Sequence, residues 1–430
     1  MTSEQRFERD LPALLADVGL GPRPDYRDDI VRQTATMRQR PAWTLPERWL
    51  PMSVLSTRVA SPPRVPLRLL AVAALLIVAI VGVLLVVGSR SRVPAPFGVA
   101  ANGLVAFSLA GDIYTVDPSG TTSAKAVVTG NDDDSDPAFS LDGTKMVFLR
   151  ASPTDPNRGR LVVASVDGSH QMVITPDPLQ QPARYSFSPD GNEIAFTTGT
   201  NGDGTLWIAR TDGSATPREI KVDMQVKQPV WAPPDGREIV FASVTPDGTP
   251  NGLFAVDVHG GQVRTILGPV DGVGRDVARV SPDGSRLAYS ASSTAISDHN
   301  SYVVHVVGID GSGDITLPMP PRATFQDQPV WSNDGKRLAV TRGYAAYNEE
   351  MAVAILPADG SGVGIETTHG ISGCCDNILD WSPADTSILF HPDPNNGGTG
   401  QQILIDPDTG ATTQPAWAAT SLPAWQRVAR

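Results

Sequence analysis

The sequence predicts an all-β fold, a seven-bladed β-propeller over residues 102–430, and three observations support this prediction. A turn motif close to Ser-Pro-Asp-Gly recurs, each time after an aromatic or apolar residue and before a short apolar strand. The copies are 44 to 51 residues apart, and a four-stranded propeller blade needs about 40–50 residues. The two ends of the region also complement each other as parts of one blade. The anchor residues of the copies are Phe139, Phe187, Trp231, Val280, Trp331, Trp381 and Trp425.

Each motif has the chemistry of a tight β-hairpin. In the turn 281–284 (Ser-Pro-Asp-Gly), proline presets φ, aspartate bonds to the local backbone and glycine accepts a positive φ. The alternating apolar and polar residues that follow are typical of a half-buried strand. A second turn of the Asp-Gly type, such as 310–311, follows a further apolar strand. We therefore predict blades of four strands, a to d, in which the first turn joins a to b and the second joins c to d.

The ends of the region supply one further blade. Residues 104–107, 112–116 and about 126–128 have the pattern of strands b, c and d without a strand a, and residues 422–425 have the pattern of a strand a alone. We expect these pieces to form one composite blade that closes the ring and leaves no open sheet edge. Six internal blades and the composite blade make seven, and one degenerate copy would change that number to six or eight.

The repeated hairpins resemble those of the TolB-like propellers, whose repeats are related to WD-type repeats. The resemblance covers residues 102–430, about three quarters of the chain. Such propellers are mostly binding platforms and some are fused to peptidases, so the resemblance implies a fold more firmly than a function. Two turns depart from the pattern and are expected to be bulged, since 232–236 has one extra residue and 382–386 lacks the glycine.

A predicted membrane span precedes the repeats. Residues 69–88 contain 20 residues without a charge, and as a helix they would cover about 30 Å, the thickness of the hydrocarbon core. We predict a transmembrane helix over 67–89, in contact with the lipid bilayer through 69–88, and a linker over 90–101. The flanking arginines favour a cytosolic N-terminus and an extracytoplasmic propeller in a bacterial cell membrane. They are Arg48, Arg58, Arg64 and Arg68 before the span and Arg90 and Arg92 after it.

Residues 1–66 are predicted to form a cytosolic segment with two short amphipathic helices, the first from about 3 to 20 and the second from Pro24 to before Pro41. One interpretation is a partly ordered tail, and the other is a docking element for a cytosolic protein. Two such helices before a membrane span resemble the cytosolic part of membrane-anchored anti-sigma factors. The zinc pattern of many such factors, a histidine followed by Cys-x-x-Cys, is absent from this sequence.

Composition and missing motifs restrict the function. The net charge of −12 and the pI of about 4.9 argue against nucleic acid as a partner, because nucleic acid requires a basic face. Neither Gly-x-Ser-x-Gly nor His-Glu-x-x-His occurs. We therefore predict no enzymatic activity, no cofactor and no metal site. An acidic run at 131–136 allows weak cation binding or a solvated loop. The histidines are scattered over different repeats: His170, His259, His299, His305, His369 and His391.

The loops before each strand a are expected to gather at one mouth of the central channel. They carry acidic and amide side chains, which suggests an acidic mouth that recognises a basic or polar ligand. The alternative is that these residues serve only the turns, which Asp and Asn favour. The residues of this candidate site are Asp136, Asp276, Asp327, Asp376 and Asn377.

The cysteines and the anchor tryptophans each allow two interpretations. Cys374 and Cys375 form a vicinal disulfide or remain two free thiols, and oxidation outside the membrane favours the disulfide. The anchor tryptophans stack on a sugar or pack between neighbouring blades, and their recurrence at one position of the repeat favours packing.

These features together predict a non-catalytic, membrane-anchored, extracytoplasmic propeller that binds a protein or another envelope ligand. The first alternative is a transmembrane signalling regulator, with an anti-sigma-like cytosolic segment and the propeller as sensor. The second alternative is a lyase or hydrolase that uses the channel. A protein partner is expected in the first two cases, and the sequence does not identify it, because propeller loops vary freely over one scaffold.

Overall fold

Every regular element in the described part of the chain is a β-strand. No helix there is long and apolar enough to cross a membrane, and the predicted segments at 1–66 and 67–89 lie outside the described residues. The computed structural model describes residues 97–430 apart from the segments 120–121, 153–154, 176–178, 181–184, 200–203, 246–249, 271–272, 293–301, 345–350, 368–377, 392–401 and 420–422.

The strands form seven antiparallel sheets, which are the blades of a β-propeller. The composite blade contains β1 (Ala101–Leu109), β2 (Asp112–Val116) and β3 (Lys125–Val128), with the last strand, β29 (Ala424–Val428), as its strand a. Blade 1 contains β4 (Asp134–Phe139), β5 (Lys145–Ser152), β6 (Asp155–Ser165) and β7 (Met172–Val173), and the short strand β8 (Leu179–Gln180) also pairs with β6. Blade 2 contains β9 (Tyr185–Phe187), β10 (Glu193–Thr198), β11 (Thr205–Arg210) and β12 (Arg218–Ile220). Blade 3 contains β13 (Gln225–Trp231), β14 (Glu238–Val244), β15 (Pro250–Asp257) and β16 (Val263–Leu267).

The remaining three blades follow the same meander, with each strand paired to the next along the chain. Blade 4 contains β17 (Gly274–Val280), β18 (Arg286–Ser292), β19 (Tyr302–Gly308) and β20 (Ile315–Thr316); blade 5 contains β21 (Phe325–Trp331), β22 (Arg337–Gly343), β23 (Met351–Pro357) and β24 (Ile365–Glu366); blade 6 contains β25 (Ile378–Trp381), β26 (Ile388–His391), β27 (Ile403–Ile405) and β28 (Thr412–Thr413).

The predicted seven blades and the predicted composite blade are confirmed. Trp425 of β29 pairs with Val105 of β1, and the pairing continues to Val428 opposite Ala101. The last strand therefore runs past Trp425, further than the predicted range 422–425. The closure removes the open edge that a row of seven sheets would otherwise leave at each end.

The core consists of seven apolar clusters, one at each contact between consecutive blades. Each cluster includes the anchor residue of one blade. The anchor tryptophans are at most 7% exposed, so the expectation that they pack between blades is confirmed. The indole Nε1–H groups of Trp231, Trp331 and Trp381 also donate to a carbonyl oxygen of the preceding blade, at 2.9–3.1 Å.

The turns that join strands a and b all lie at one end of the propeller, here called the turn face, and occupy 140–144, 188–192, 232–237, 281–285, 332–336 and 382–387. The turn around Gly284 shows why glycine is needed, since φ is +73° and an added Cβ would lie 2.4 Å from the carbonyl oxygen of Pro233. The connections from b to c and from d to a lie at the opposite end, here called the loop face.

The two irregular turns differ from each other. The turn after Trp231 is longer, because the N–H of Gly236 bonds to the carbonyl oxygen of Ala232, four residues earlier. The turn after Trp381 keeps the ordinary pairing, because the N–H of Ser382 bonds to the carbonyl oxygen of Ser387, five residues on as in most of the other turns, so the predicted bulge is wrong there. Asp385 takes the place of the glycine with φ of +59°, and its N–H bonds to the carbonyl oxygen of Ser382.

Candidate functional site

A cavity of about 460 Å³, here called the mouth cavity, lies where the channel opens on the turn face. All seven blades contribute residues from the last positions of strand a or from the turn that follows it. Its walls are mainly apolar and aromatic, with Phe139, Phe187, Trp231 and Trp331 among the lining residues. Pockets that bind small molecules are typically about 300–1,000 Å³, apolar, and carry few polar groups. The mouth cavity has these properties.

A short segment ahead of the first strand forms part of the wall. Residues 97–100, here called the strap, supply Phe97 and Gly98 to the cavity lining. The strap is held by two bonds to different blades. The N–H of Ala100 donates to the carbonyl oxygen of Pro383 at 2.8 Å, and Arg427 Nη2 donates to the carbonyl oxygen of Gly98 at 2.6 Å.

Arg427 connects the composite blade to the turn of blade 5. Its Nη1 donates to Asn333 Oδ1 at 2.6 Å, and the side chain is 8% exposed. Burial lowers the pKa of Arg427, while the charges of Asp385 and Asp380 act in the opposite direction. Asn333 replaces the usual proline of the turn, and its backbone N–H and side-chain amide both donate to Asp385 Oδ1, at 2.7 and 2.9 Å.

Asp380 is the acidic residue of the lining. Burial raises the pKa of its carboxyl to about 7, although the N–H of Trp425 and the charge of Arg427 favour the ionised form. The carboxyl therefore changes charge close to neutral pH. It does so on β25, at the contact with the last strand of the ring.

Arg279 is the second arginine of the lining and is half-buried. Its Nη1 donates to Gln228 Oε1 on the preceding blade at 3.1 Å and to the carbonyl oxygen of Ala278 at 3.3 Å. Tyr185 of blade 2 also lines the wall, and its hydroxyl donates to the carbonyl oxygen of Asp136. Burial, with a smaller contribution from the charge of Asp136, raises the pKa of Tyr185 well above its usual range.

The described residues of the predicted acidic site do not line the mouth cavity. Asp136, Asp276 and Asp327 lie within strands β4, β17 and β21, not in the loops before them, because strand a begins earlier than the sequence pattern suggests. Asp327 is 6% exposed and accepts the N–H of Gln328 at 2.6 Å. Asp136 is half-buried, and neither Asp136 nor Asp327 lines the mouth cavity.

The side chains of the remaining predicted residues lie outside the described part of the chain. Asp276 is described by its backbone alone, and Asp376 and Asn377 lie outside the described residues. The same holds for Cys374 and Cys375, so the vicinal disulfide stays a prediction. Ligand binding by the acidic residues also stays a prediction.

A second repeated pattern is present in strand a of three blades, and it was not recognised in the sequence. Asp136, Gln228 and Gln328 each stand directly before a proline and three residues before an anchor residue. All three have a left-handed φ, of 52°, 50° and 56°, and each lies at a shift of the strand register. The repeated x-Pro-x-anchor pattern could have identified these bulges, which aim polar residues of strand a differently from an ideal strand.

The histidines that the structure describes remain apart. His170 is in the turn after β6, His259 is in the turn after β15, and His305 and His391 are in β19 and β26. Among the described residues, no group of three or more His, Cys, Asp or Glu side chains could hold a metal ion.

Comparisons with known proteins agree with this architecture. A family model described as the lipoprotein LpqB β-propeller domain (Gmad1) matches residues 177–363, which is less than half of the 430-residue chain. No curated protein sequence matches the chain.

Solved structures of several propeller proteins are similar to this chain. An oligogalacturonate lyase in complex with manganese is 13% identical with a TM-score of 0.53, and the match covers 74% of this chain and 85% of the lyase. A puromycin hydrolase is 16% identical with a TM-score of 0.50, over 77% of this chain and 56% of that one. TolB from Acinetobacter baumannii is 17% identical with a TM-score of 0.43, over 75% of this chain and 66% of TolB.

Identities this low show a shared fold and do not transfer an activity. The Ser-Pro-Asp-Gly turns, the seven closed sheets and the family-model match carry the assignment of the fold. The resemblance predicted from the sequence is therefore confirmed at the level of the fold, and the described residues form a seven-bladed β-propeller that resembles the TolB-like propellers.

Proposed function

We propose that this protein is a non-catalytic binding platform of the bacterial cell envelope, and that its partner is a protein that docks on the loop face. The observation that carries this proposal is the unequal length of the connections at the two faces. On the turn face the links from strand a to strand b contain five or six residues. On the loop face β24 ends at Glu366 and β25 begins at Ile378, and β26 ends at His391 and β27 begins at Ile403, so each of these links contains 11 residues. Long connections on a rigid scaffold are where partner recognition is usually located.

The proposal includes the absence of catalysis. The described histidines are in four different blades, and the polar groups of the mouth cavity bond mainly to carbonyl and amide groups that hold the turns together. Among the similar structures are a lyase and a hydrolase, so a channel enzyme is the competing proposal. Turnover of an oligosaccharide or a peptide by the purified full chain would support that competitor.

The envelope location rests on the sequence and on the family description. The uncharged stretch at 69–88 has the length of a membrane span, and the matching family model is described as a lipoprotein domain. We include in the proposal a single-pass topology with the N-terminus in the cytosol and the propeller outside.

One observation favours a signalling role as a second candidate. The strap, through which the chain enters the propeller, supplies Phe97 and Gly98 to the wall of the mouth cavity. A change at this cavity therefore acts directly on the segment that leads to residues 1–96. In this version the propeller is a sensor, and residues 1–66 dock a cytosolic protein.

Recovery of partners from membranes by the tagged full chain tests the docking proposal. Charge reversal at two exposed loop-face residues, Arg322→Glu and Asp223→Lys, should abolish recovery of the partner. The matched control also reverses one positive and one negative charge, on the turn face, with Lys336→Glu and Asp235→Lys, whose side chains are 81% and 58% exposed. Loss of the partner only in the turn-face variant would overturn the assignment of the docking face. Recovery of a transcription factor through residues 1–66 would establish the signalling role.

A further inference from the structure

One buried amide holds the connection that leads into the closing strand of the ring. Residues 414–419 follow β28, and Ala419 lies five residues before the first residue of β29. Gln402, directly before β27, accepts the N–H of Ala419 through Oε1 at 3.0 Å and donates through Nε2 to the carbonyl oxygen of Ala419 at 3.3 Å. Gln402 is 0% exposed. Its side chain therefore bonds to the backbone of this connection as a neighbouring strand would.

The same amide determines the protonation state of His391. Gln402 Nε2 also donates to His391 Nδ1 at 2.7 Å, and His391 is 4% exposed at the end of β26. The two bonds to Ala419 fix which end of the amide carries the hydrogens, so His391 Nδ1 must be the acceptor. The folded arrangement thus requires a neutral imidazole with its proton on Nε2.

Protonation of His391 Nδ1 is incompatible with these bonds. An N–H on Nδ1 would face the amide N–H groups of Gln402, and two donors do not bond to each other. Gln402 could accept that proton only by turning Oε1 toward the imidazole, which would break both bonds to Ala419. The contact beside Ala419 is apolar, since the ring of Trp417 stacks on Phe107 of β1 at 4.9 Å. The amide of Gln402 is therefore a specific polar attachment next to a non-specific one.

We propose that His391 and Gln402 form an acid-sensitive latch of the propeller ring, in which protonation of His391 releases Ala419 and loosens the connection into β29. A histidine in an unfolded chain binds a proton below about pH 6.5, whereas the latched protein excludes this proton. The open state therefore binds more protons than the latched state, and the latch weakens as pH falls below about 6.5. For one proton, the equilibrium constant for opening rises roughly tenfold per pH unit.

Other charged groups lie on the described elements around the latch. β25 and β27 pair with β26, and β1, β2 and β29 share an apolar cluster with Leu389 of β26. The titratable groups on these elements are Asp380 on β25, Asp112 and Tyr114 on β2, and Arg427 on β29. Burial raises the pKa of Asp380 to about 7, so its carboxyl is largely neutral below pH 6. Asp380 therefore adds little charge beside the latch in the acid range.

Hydrogen exchange of the purified full chain, read by mass spectrometry of peptides that cover 414–419, tests the latch between pH 5 and pH 7.5. After correction for the intrinsic exchange rate, the protection of these amides should fall roughly tenfold per pH unit below about pH 6. His391→Asn places an amide oxygen where Nδ1 stands and does not titrate, so its protection should stay constant over this range. Constant protection in the original protein overturns the proposal, and so does an unchanged pH response in His391→Asn.

Further variants assign the response to the latch. Gln402→Glu should reverse its sign, because a carboxylate accepts the N–H of Ala419 and also the N–H of a protonated His391; an unchanged response overturns the proposal. His259→Asn removes an exposed histidine of blade 3 and should respond like the original protein. Asp376→Asn and Asp393→Asn remove carboxylates that are near β25 and β26 in sequence and outside the described residues, and both should keep the response. Loss of the response in any of these three variants would assign it to that side chain and overturn the role of Gln402. Partner recovery at neutral pH does not depend on this outcome.

Discussion

The indole Nε1–H of Trp381 donates a hydrogen bond of 3.0 Å to the carbonyl oxygen of Val330, 51 residues earlier and on the inner strand of the preceding blade. Trp231 and Trp331 donate in the same way, at 3.1 and 2.9 Å. In every case the acceptor stands directly before the anchor residue of the preceding blade. The anchor tryptophans therefore join consecutive blades through apolar burial and through one specific polar contact.

Replacing Trp381→Phe keeps an aromatic ring but removes the donor to Val330. Trp425→Phe is the matched control, since Trp425 is buried to a similar extent, 7% against 4% exposed, and its Nε1 has no partner among the described residues. Both changes remove ring volume, so the difference between them reports the hydrogen bond to Val330 together with the cation–π contact of Arg337 with the Trp381 ring. Denaturant unfolding should give a loss about 1 kcal/mol larger for Trp381→Phe. Equal losses would show that the bond adds nothing to the contact between blades.

Asp385→Gly should destabilise the propeller although glycine suits the left-handed backbone better. The Asp385 carboxylate accepts the N–H of Asn333 at 2.7 Å and the N–H of Asp334 at 2.9 Å, and hydrogen bonds to a charged group contribute about 1.5–3 kcal/mol each. The gain from glycine at φ of +59° is about 1 kcal/mol. We expect a net loss of about 2–5 kcal/mol in the free energy of unfolding, measured by denaturant titration. Asp385→Asn should lose less, and a more stable Asp385→Gly protein would contradict this account.

Glu366→Gln should lower the free energy of unfolding more than removal of both charges of the Arg342–Glu366 ion pair. Arg342 is 0% exposed and donates to Glu366 and, at 3.0 Å, to Gln326 Oε1. Loss of the carboxylate leaves a buried positive charge without its counterion, which costs about 3–5 kcal/mol. The double variant Arg342→Met with Glu366→Gln removes both charges, so its free energy of unfolding should exceed that of Glu366→Gln. A double-mutant cycle measures the difference, and additive losses would argue against coupling of the two side chains.

Asp380→Asn should change how stability depends on pH. The folded-state pKa of Asp380 is about 7, above the value of about 3.9 in unfolded chains. The folded protein therefore binds more protons than the unfolded chain between these values, and the contribution of Asp380 to stability falls as pH rises from about 4 to 7. Relative to the original protein, Asp380→Asn should gain about 2.5 kcal/mol between pH 5 and pH 8, at about 1.4 kcal/mol per pH unit below the folded-state pKa.

Unfolding curves at several pH values from 5 to 8 check this prediction. The group that faces Asp380 is Arg427, which is charged throughout this range, so the difference between the two proteins follows the carboxyl of Asp380. Parallel pH profiles for the original and Asp380→Asn proteins would mean that this carboxyl does not titrate near pH 7.

Much of the fold was accessible from the sequence because each repeat encodes its own hairpin. The turn 281–284 carries proline, aspartate and glycine in the order that the backbone requires, and the same order at a regular period gives the number of blades. The composite blade followed from a missing strand a at one end and a single strand at the other. The start of strand a was misjudged, since Asp136 and Asp327 lie inside strands, because a bulge before proline interrupts the alternation that marks a strand.

The sequence by itself determined the ring of seven blades and the burial of the anchor residues, because both depend on local turn chemistry and on apolar periodicity. The tertiary structure alone decided the mouth cavity. Arg427 meets Asn333, 94 residues away, and Arg279 meets Gln228, 51 residues away. Such contacts arise because closure of the ring brings the ends of all inner strands to one channel. Local sequence patterns do not predict which side chains meet there.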